Sequence, residues 1–556
     1  MTFPRRLSFQ TKAFWHENKT KTKQITLTPT RGGCFLIEPR YNQKYMKTKR
    51  SISSLVESGQ NGLVVDIECQ LSNNLPGITI VGFANKAVDE AKERIRSAFE
   101  SSSIQLPRKR IIINLAPADV PKDSTGFDLA IAATILVATG QTVHFPAQAA
   151  VMGELGLDGT VRPIRGIIGK LLAGKRHGFS LFIIPKDNVD QARLVPDIQL
   201  LPIESLRDLY EIANNTQTGL FIDTSETTAL SVSVEPTNDD ATLLEDIIGQ
   251  ELGKRAIEIS AAGGHNVLLG GPPGTGKSML ARTLPALLPA MTREETLEVT
   301  HLHSLASNDF NRIVHDRPFR SPHHSASNVA IVGGGASIRP GEMSLSHRGI
   351  LLFDELPEFD RATIEALRQP LETRIVSISR AKESADYPAH FIFIATANPC
   401  PCGFYGTSKP CRCTPSQTQK YRRKLSGPIL DRIDIYVDVH EIDNSRLLSE
   451  APSLSHTSKT ASERIAAARE RQRARFGTNK LNADMTNRDI KAKSAISPEA
   501  KTMLDTAANK FGLSPRAYMR TLKVARTIAD LDTSDAIAVK HIAEALQYRP
   551  HQFHDI

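Results

Sequence analysis

The glycine-rich stretch before Ser278 has the residue types and spacing needed to hold a polyphosphate. Residues 266–269 form a short apolar run that predicts a buried strand, and residues 279–288 show an apolar helical pattern. Between them, glycines allow backbone N–H groups to surround phosphates at the positive end of the helix. The predicted nucleotide-binding residues are Gly271, Pro272, Pro273, Gly274, Thr275, Gly276, Lys277 and Ser278.

This order of strand, glycine loop and helix is the context of the P-loop, and an ordinary glycine turn is the alternative. In a P-loop, Lys277 is expected on the β- and γ-phosphates and the Ser278 hydroxyl on Mg²⁺. Residues 349–355, G-I-L-L-F-D-E, form an apolar run that ends in two carboxylates. We expect Asp354 to hold Mg²⁺ through water and Glu355 to polarise the attacking water. ATP and Mg²⁺ are therefore the predicted cofactors.

Composition bounds the class of protein. The chain has 556 residues, enough for three or four domains of about 150 residues each. Its 40% apolar and 23% charged content are typical of a soluble globular protein. No apolar run approaches the ~18 residues that a transmembrane helix needs. Six cysteines do not suggest a secreted disulfide scaffold, so we expect a cytoplasmic protein without a membrane partner.

The net charge of +9 is concentrated at the N-terminus. Residues 1–50 contain twelve Lys and Arg against two Asp and Glu, so the rest of the chain is close to neutral. Global charge therefore says little about the body of the protein. We expect residues 1–45 to be a basic, disordered extension; an organellar transit peptide and translation from upstream of the natural start are alternatives.

Strand and helix signals alternate over residues 46–223, which predicts an α+β domain. The segments 224–242 and 443–460 are polar and are predicted to be linkers. They separate an α/β core at 243–442 from a helical lid at 461–556. The predicted fold class is therefore α/β, with the α+β domain placed before a P-loop core.

The first domain resembles the domain shared by Lon proteases and the ribosomal S5-like fold. The resemblance depends on P-K-D-S-T-G at 121–126 and on G-E-L-G-L-D-G-T-V-R-P-I-R-G at 153–166. Lon proteases use a Ser–Lys dyad, and Ser124 stands near their serine position. Their lysine position falls on Ile168, which cannot activate a serine, and Lys170 is predicted on another side of the helix. We therefore expect a non-proteolytic domain.

From about residue 46 to 550 the chain resembles the magnesium-chelatase-like AAA+ proteins of the YifB/ComM type. The motifs that carry the resemblance are the P-loop, P-F-R-S-P-H-H at 318–324, L-F-D-E-L-P-E-F at 352–359, A-N-P-C-P-C-G at 397–403 and L-D-R-I-D at 430–434. The resemblance implies that Asn398 is sensor 1 and orients the attacking water. It also implies that Arg432 is an arginine finger in the next subunit's site and that Arg516 is the sensor 2 arginine. The N-terminal extension departs from the family pattern.

The same resemblance implies a hexameric helicase that drives DNA branch migration in natural transformation. In this interpretation, single-stranded or branched DNA is gripped by Arg380 and Lys382 on a hairpin within 373–390, and by the loop around Arg339. A solvated hairpin tip is the alternative. The rival functions are the ATPase subunit of a metal chelatase, a Lon-like protease and a protein-remodelling AAA+ chaperone.

Four cysteines lie within fourteen residues, namely Cys400, Cys402, Cys411 and Cys413. Two C-x-C pairs supply the four thiolates of a structural Zn²⁺ site, although the spacing is tighter than the usual C-x₂₋₄-C. Reduced thiols that pack a loop, or a redox pair, are the alternatives.

Overall fold

The structure is a computed structural model. It describes residues 51–56, 62–82, 86–118, 125–142, 149–214, 221–225, 242–307, 309–335, 338–380, 384–407, 409–425, 427–441 and 457–549. Ser124, Lys382, the predicted extension 1–45 and most of the two predicted linkers lie outside these ranges.

The described strands are β1 (Ser51–Val56), β2 (Leu63–Ser72), β3 (Gly77–Val81), β4 (Arg110–Ala116), β5 (Ala149–Val151), β6 (Glu154–Leu155), β7 (Val161–Arg162), β8 (Leu181–Pro185), β9 (Gln199–Ile203), β10 (Ile222–Asp223), β11 (Val267–Gly270), β12 (Phe319–Arg320), β13 (Gly333–Gly334), β14 (Arg339–Pro340), β15 (Ile350–Phe353), β16 (Ile375–Ser379), β17 (Ser384–Pro388), β18 (Ile392–Ala397) and β19 (Ile435–Asp438).

The described α-helices are α1 (Lys86–Ser101), α2 (Asp128–Ala138), α3 (Ile167–Arg176), α4 (Val189–Ala192), α5 (Leu206–Ala213), α6 (Glu251–Gly263), α7 (Lys277–Leu287), α8 (Arg293–Ala306), α9 (Asn328–Val332), α10 (Glu342–Leu345), α11 (Arg361–Ala366), α12 (Arg368–Thr373), α13 (Pro415–Arg422), α14 (Gly427–Leu430), α15 (Ser458–Phe476), α16 (Asn487–Lys493), α17 (Pro498–Phe511), α18 (Pro515–Leu531) and α19 (Val539–Gln547).

The N-terminal part is built on a mixed sheet with the strand order β10-β9-β8-β5-β1-β2-β4-β3. Strand β2 alternates as its sequence predicts, and its inward residues Val65 and Ile67 are fully buried. Helix α1 buries Ala91, Ile95 and Ala98 on one face. Helix α2 is buried almost all round, because it lies between the sheet and its neighbouring helices. This part is therefore an α+β unit.

The second sheet is parallel throughout, with the order β12-β15-β18-β11-β19. Every residue of β11, β15 and β18 is buried. Parallel strands covered on both faces have continuous apolar sequences, which explains the apolar runs at these positions. Val267 and Leu269 of β11 pack into a core with α6, α7 and the lid helices, whereas Leu268 packs into the core on the opposite face. The mixed α/β class and the parallel sheet are confirmed.

Several boundaries differ slightly from the sequence prediction. Helix α15 begins at Ser458, inside the last residues of the predicted second linker, because the Thr457 side chain accepts a hydrogen bond from the Thr460 N–H and caps the helix. The buried helix predicted from Gly126 starts with a 3₁₀ turn at Thr125–Phe127, and α2 follows. The predicted strand before the P-loop is confirmed as β11, one residue later than expected.

Candidate functional site

The predicted nucleotide residues meet at the carboxyl edge of the parallel sheet. Gly270, the last residue of β11, pairs with Ala397 at the end of β18, and Phe353 at the end of β15 pairs with Ala395. The P-loop, Asp354–Glu355 and Asn398 each follow one of these strand ends. Three segments distant in sequence therefore converge on one place.

Lys277 is the buried cation of this edge. Its Nζ donates hydrogen bonds to the Gly271 carbonyl at 2.8 Å, the Pro272 carbonyl at 2.6 Å and Asn398 Oδ1 at 3.2 Å. Burial lowers the pKa of Lys277, and the nearby Asp354 and Glu355 carboxylates counteract it. A cation held among carbonyl oxygens at a helix N-terminus suits a phosphate chain.

Ser278, Asp354 and Thr396 form a cluster of oxygen atoms. The Ser278 hydroxyl lies 2.9 Å from both oxygens of Asp354. The Thr396 hydroxyl donates to Asp354 Oδ1 at 2.6 Å. Carboxylate and hydroxyl oxygens are the ligands that Mg²⁺ prefers, so this donor set fits Mg²⁺.

Glu355 is held in an unusual backbone conformation beside this cluster. Its φ of +55° lies in the left-handed region, and its N–H donates to Thr396 Oγ1 at 2.8 Å. Asn398 Nδ2 lies 3.5 Å from Glu355 Oε1, so Asn398 stands between Lys277 and Glu355. Thr396 thus makes hydrogen bonds to both predicted acidic residues. The sequence feature that could have identified it is a hydroxyl residue within the otherwise apolar strand β18.

The P-loop backbone is packed closely against its neighbours. Gly271 has a φ of +147°, and a Cβ there would meet the Val439 carbonyl oxygen at 2.2 Å. Gln250 Nε2 donates to the Thr275 carbonyl at 3.3 Å and to the His440 carbonyl at 2.7 Å. The loop is therefore a preformed cradle that only glycine permits at its first position.

Arg432 and Arg516 lie at the opposite edge of the same sheet. The Arg432 carbonyl accepts a hydrogen bond at 3.0 Å from Asn266 Nδ2, directly before β11, whereas the P-loop follows the end of β11. The four residues of β11 separate these positions by about 13 Å of strand. The Arg432 guanidinium pairs with Glu372, and Arg516 Nη2 lies 3.3 Å from the other oxygen of Glu372. Glu372 was not predicted.

The two predicted DNA-binding arginines lie on neighbouring hairpins. Arg339 is exposed on the hairpin β13–β14, opposite Gly334, and Arg380 is exposed directly after β16. A Cβ on Gly334 would lie 3.7 Å from Arg380 Nη2, so the Arg380 guanidinium reaches the first hairpin. Tyr387 of β17 donates to the Ile338 carbonyl at 3.1 Å and ties the two hairpins together.

The basic helix α15 does not present a free positive face. Each of its five arginines has a partner within the chain. The pairs are Arg464 with Glu258, Arg469 with the Ala261 carbonyl, Arg471 with Asp535, Arg473 with Glu470 and Arg475 with Asp530. Arg464 and Arg469 therefore attach the lid to α6, whereas the other three arginines pair within the lid.

The four clustered cysteines come together. Their Sγ atoms all lie within 4.8 Å of one another, and Cys400 is fully buried. Backbone N–H groups of Phe404 and Arg412 donate to the Cys402 thiol and lower its pKa to about 6.

In the Lon-like domain, Ile168 is fully buried in α3. The Lys170 amine donates to the Arg165 carbonyl and is itself buried, as expected for a structural lysine. Ser124, which stands near the Lon serine position in sequence, lies outside the described residues.

Comparison with known families identifies the class. Family models described as magnesium chelatase subunit ChlI match residues 243–447 and 67–188, and a model of the ChlI C-terminal region matches residues 455–549. Together with the P-loop at the edge of a parallel sheet, these matches define an AAA+ ATPase.

Curated relatives narrow the class to a family. The chain is 42% identical to YifB of Salmonella typhimurium, over 88% of this chain and 95% of YifB. It is also 42% identical to competence protein ComM of Haemophilus influenzae, over 90% of this chain and 97% of ComM. The chain therefore belongs to the magnesium-chelatase-like YifB/ComM family. Membership implies ATPase activity with ATP and Mg²⁺.

A Lon protease of Solibacter usitatus is 28% identical over 164 residues, which is 27% of this chain. The resemblance to Lon is thus borne out as homology. Among the described helices, none is both long and apolar enough to cross a membrane.

Proposed function

We propose that the protein is an ATP-hydrolysing hexameric motor that acts on single-stranded or branched DNA, as a helicase that promotes branch migration. Membership of the YifB/ComM family supports this proposal, since one relative is named a competence protein. The ATPase part follows from the family, whereas the ring and the DNA substrate are inferred from the arrangement of charged side chains.

In the proposed nucleotide site, different side chains at the carboxyl edge contact the phosphates, the Mg²⁺ ion and the attacking water. Lys277 would neutralise the β- and γ-phosphates, and Ser278 with Asp354 would hold Mg²⁺. Bound Mg²⁺ neutralises charge that develops on the phosphates. Glu355 would orient and polarise the attacking water, assisted by Asn398, which already lies 3.5 Å from it.

The observation that carries the proposal is the separation between these residues and the arginines. Arg432 and Arg516 share Glu372 at the amino edge of the sheet, and among the described residues no hydrogen bond or ion pair links either arginine to the P-loop. A cation there suits a phosphate bound by another subunit. Two arginines in one cleft are most simply explained if both act in the neighbour's site.

The proposed DNA contact consists of the two joined hairpins. Arg339 and Arg380 are exposed side by side, and Lys382 belongs to the same tip by sequence. Phosphate contacts of this kind give affinity without sequence information, which is what a translocating motor requires. The partners of the lid arginines argue against α15 as a second DNA surface.

The test is the ATPase rate of the purified protein with no DNA and with single-stranded, duplex or branched DNA. We expect DNA to stimulate hydrolysis, and we expect Arg339→Ala/Arg380→Ala to lose the stimulation while keeping the basal rate. Arg207→Ala, which removes an exposed arginine of α5, is the control. A rate that no DNA changes would favour a chelatase subunit, the function for which the matching family models are described.

A further inference from the structure

The segment after Asn398 is a compact loop closed by the four cysteines. The Sγ atoms of Cys400, Cys402 and Cys411 are 3.4, 3.5 and 3.7 Å apart, and Cys413 lies within 4.8 Å of all three. Four thiolates at the Zn–S distance of about 2.3 Å from one ion would be about 3.8 Å apart. A disulfide needs about 2.05 Å, so the observed spacing is that of a tetrahedral ion site.

The backbone is also shaped for such a site. The Tyr405 N–H donates to Cys400 Sγ at 3.3 Å, and the Gly403 N–H donates to the Cys400 carbonyl at 2.9 Å. The first bond points an N–H group at sulfur, which stabilises a thiolate and positions it as a ligand, and the second closes the turn.

The turn of this loop rests on the nucleotide loop. Gly403 is buried with a φ of +84°, and a Cβ there would lie 2.5 Å from Cδ and 2.9 Å from Cγ of Pro273. On the other side, Arg422 of α13 donates to the Pro399 carbonyl at 3.3 Å and stacks on the Tyr405 ring at 4.7 Å. The cysteine loop is thus held between α13 and the P-loop.

We propose that Cys400, Cys402, Cys411 and Cys413 bind one Zn²⁺, and that this zinc knuckle positions the P-loop through the contact of Gly403 with Pro273. The metal site does not depend on the proposed function, whereas its effect on nucleotide affinity rests on the proposed nucleotide site. Asn398 lies two residues before the first ligand, so the same ion also fixes the residue between Lys277 and Glu355.

The first experiment is metal analysis of the full chain purified without chelator. We expect one zinc per chain, with four thiols protected from a thiol reagent until a chelator is added. Cys411→Ser/Cys413→Ser should lose the zinc, and Cys69→Ser, which changes a cysteine in β2, should keep it. Zinc well below one per chain with all four thiols reactive would overturn the site, as would a disulfide among them.

The second experiment separates the knuckle from its effect on the P-loop. Gly403→Ala keeps all four cysteines but forces a Cβ against Pro273, so we expect full zinc and about tenfold weaker binding of a fluorescent ADP analogue. Gly406→Ala is a matched control, because Gly406 has a similar φ of +76° with open space around its Cβ. Equal affinities in the two variants would overturn the coupling. Neither readout involves DNA, so the outcome is independent of the proposed motor activity.

Discussion

The two edges of the parallel sheet hold cations in different ways. At the carboxyl edge, Lys277 is buried and has three oxygen partners, and Asp354 is fixed by two hydroxyl groups. At the amino edge, Arg432 and Arg516 both depend on Glu372, an exposed carboxylate at the end of α12. Helix α12 is short, and its last residues are open to solvent.

Under the proposed function, the first site is complete within one chain, whereas the second needs a neighbouring subunit. Hydrogen bonds among buried groups are worth more than exposed ion pairs, so the P-loop cluster is preorganised whereas the arginines can be redirected. A ligand supplied by a neighbouring subunit would complete the amino edge. The following predictions test this contrast, from the largest expected effect to the smallest.

Arg432→Ala should bind nucleotide normally but hydrolyse it about 10³- to 10⁵-fold more slowly, as measured for arginine fingers elsewhere. The measurement is the steady-state ATPase rate at saturating ATP, together with nucleotide affinity. Since the arginine would serve another subunit, the wild-type rate per chain should also rise steeply with protein concentration.

A mixing experiment sharpens this prediction. Lys277→Ala chains keep Arg432, and Arg432→Ala chains keep the P-loop, so mixed rings contain sites with both parts. We expect the mixture to recover activity that neither variant has alone. Wild-type turnover by dilute, monomeric Arg432→Ala would contradict the two-edge interpretation outright.

Glu355→Gln should lose about 10²- to 10⁴-fold in hydrolysis, the range typical of a missing general base, while it retains ATP. Its amide still accepts the contact from Asn398 but cannot polarise water as a carboxylate does. Glu358→Gln, three residues further along, is the control and should keep the wild-type rate. Turnover by Glu355→Gln close to wild type would remove Glu355 from its proposed role.

Lys277→Ala should weaken nucleotide binding about ten- to hundredfold, since a hydrogen bond to a charged group contributes about 1.5–3 kcal/mol. The variant also releases the carbonyls of Gly271 and Pro272, so thermal unfolding without nucleotide should be measured beside affinity. Equal nucleotide affinity in variant and wild type would show that the cradle has been assigned to the wrong residues.

Sequence reasoning located the segments of the carboxyl edge because each part of that edge lies in one short segment. The P-loop glycines, Lys277 and the paired carboxylates each follow an apolar run that reads as a buried strand, and parallel strands bring such ends together. Their predicted roles depend on residue type, and the fold brings these residue types to the same edge of the sheet. The parallel sheet itself was predictable for the same reason.

The remaining features depend on contacts between residues far apart in sequence. Thr396 looked like part of a strand, and Glu372 looked like a solvated charge at a helix end. Nothing local places Gly403 against Pro273, because the contact is made by tertiary packing. The partners of the lid arginines likewise come from α6 and from elsewhere in the lid, and no local pattern indicates them.

Glu372→Gln gives the smallest effect and the most direct test of how the amino edge works. Glu372 pairs with both arginines, and in the proposed ring they would have to leave it to reach a neighbour's phosphate. The hydrogen bond from Arg432 lowers the pKa of Glu372, so the ion pair forms above that pKa and weakens as pH falls through it.

An exposed ion pair contributes about 0.2–1 kcal/mol, so we expect nucleotide-dependent assembly of Glu372→Gln at about two- to fivefold lower protein concentration. Glu365→Gln, whose partner Arg368 lies on α12 as Glu372 does, is the matched control and should leave assembly unchanged. Assembly at higher concentration in Glu372→Gln would mean that Glu372 belongs to the finished interface, and that the amino edge is preorganised like the carboxyl edge.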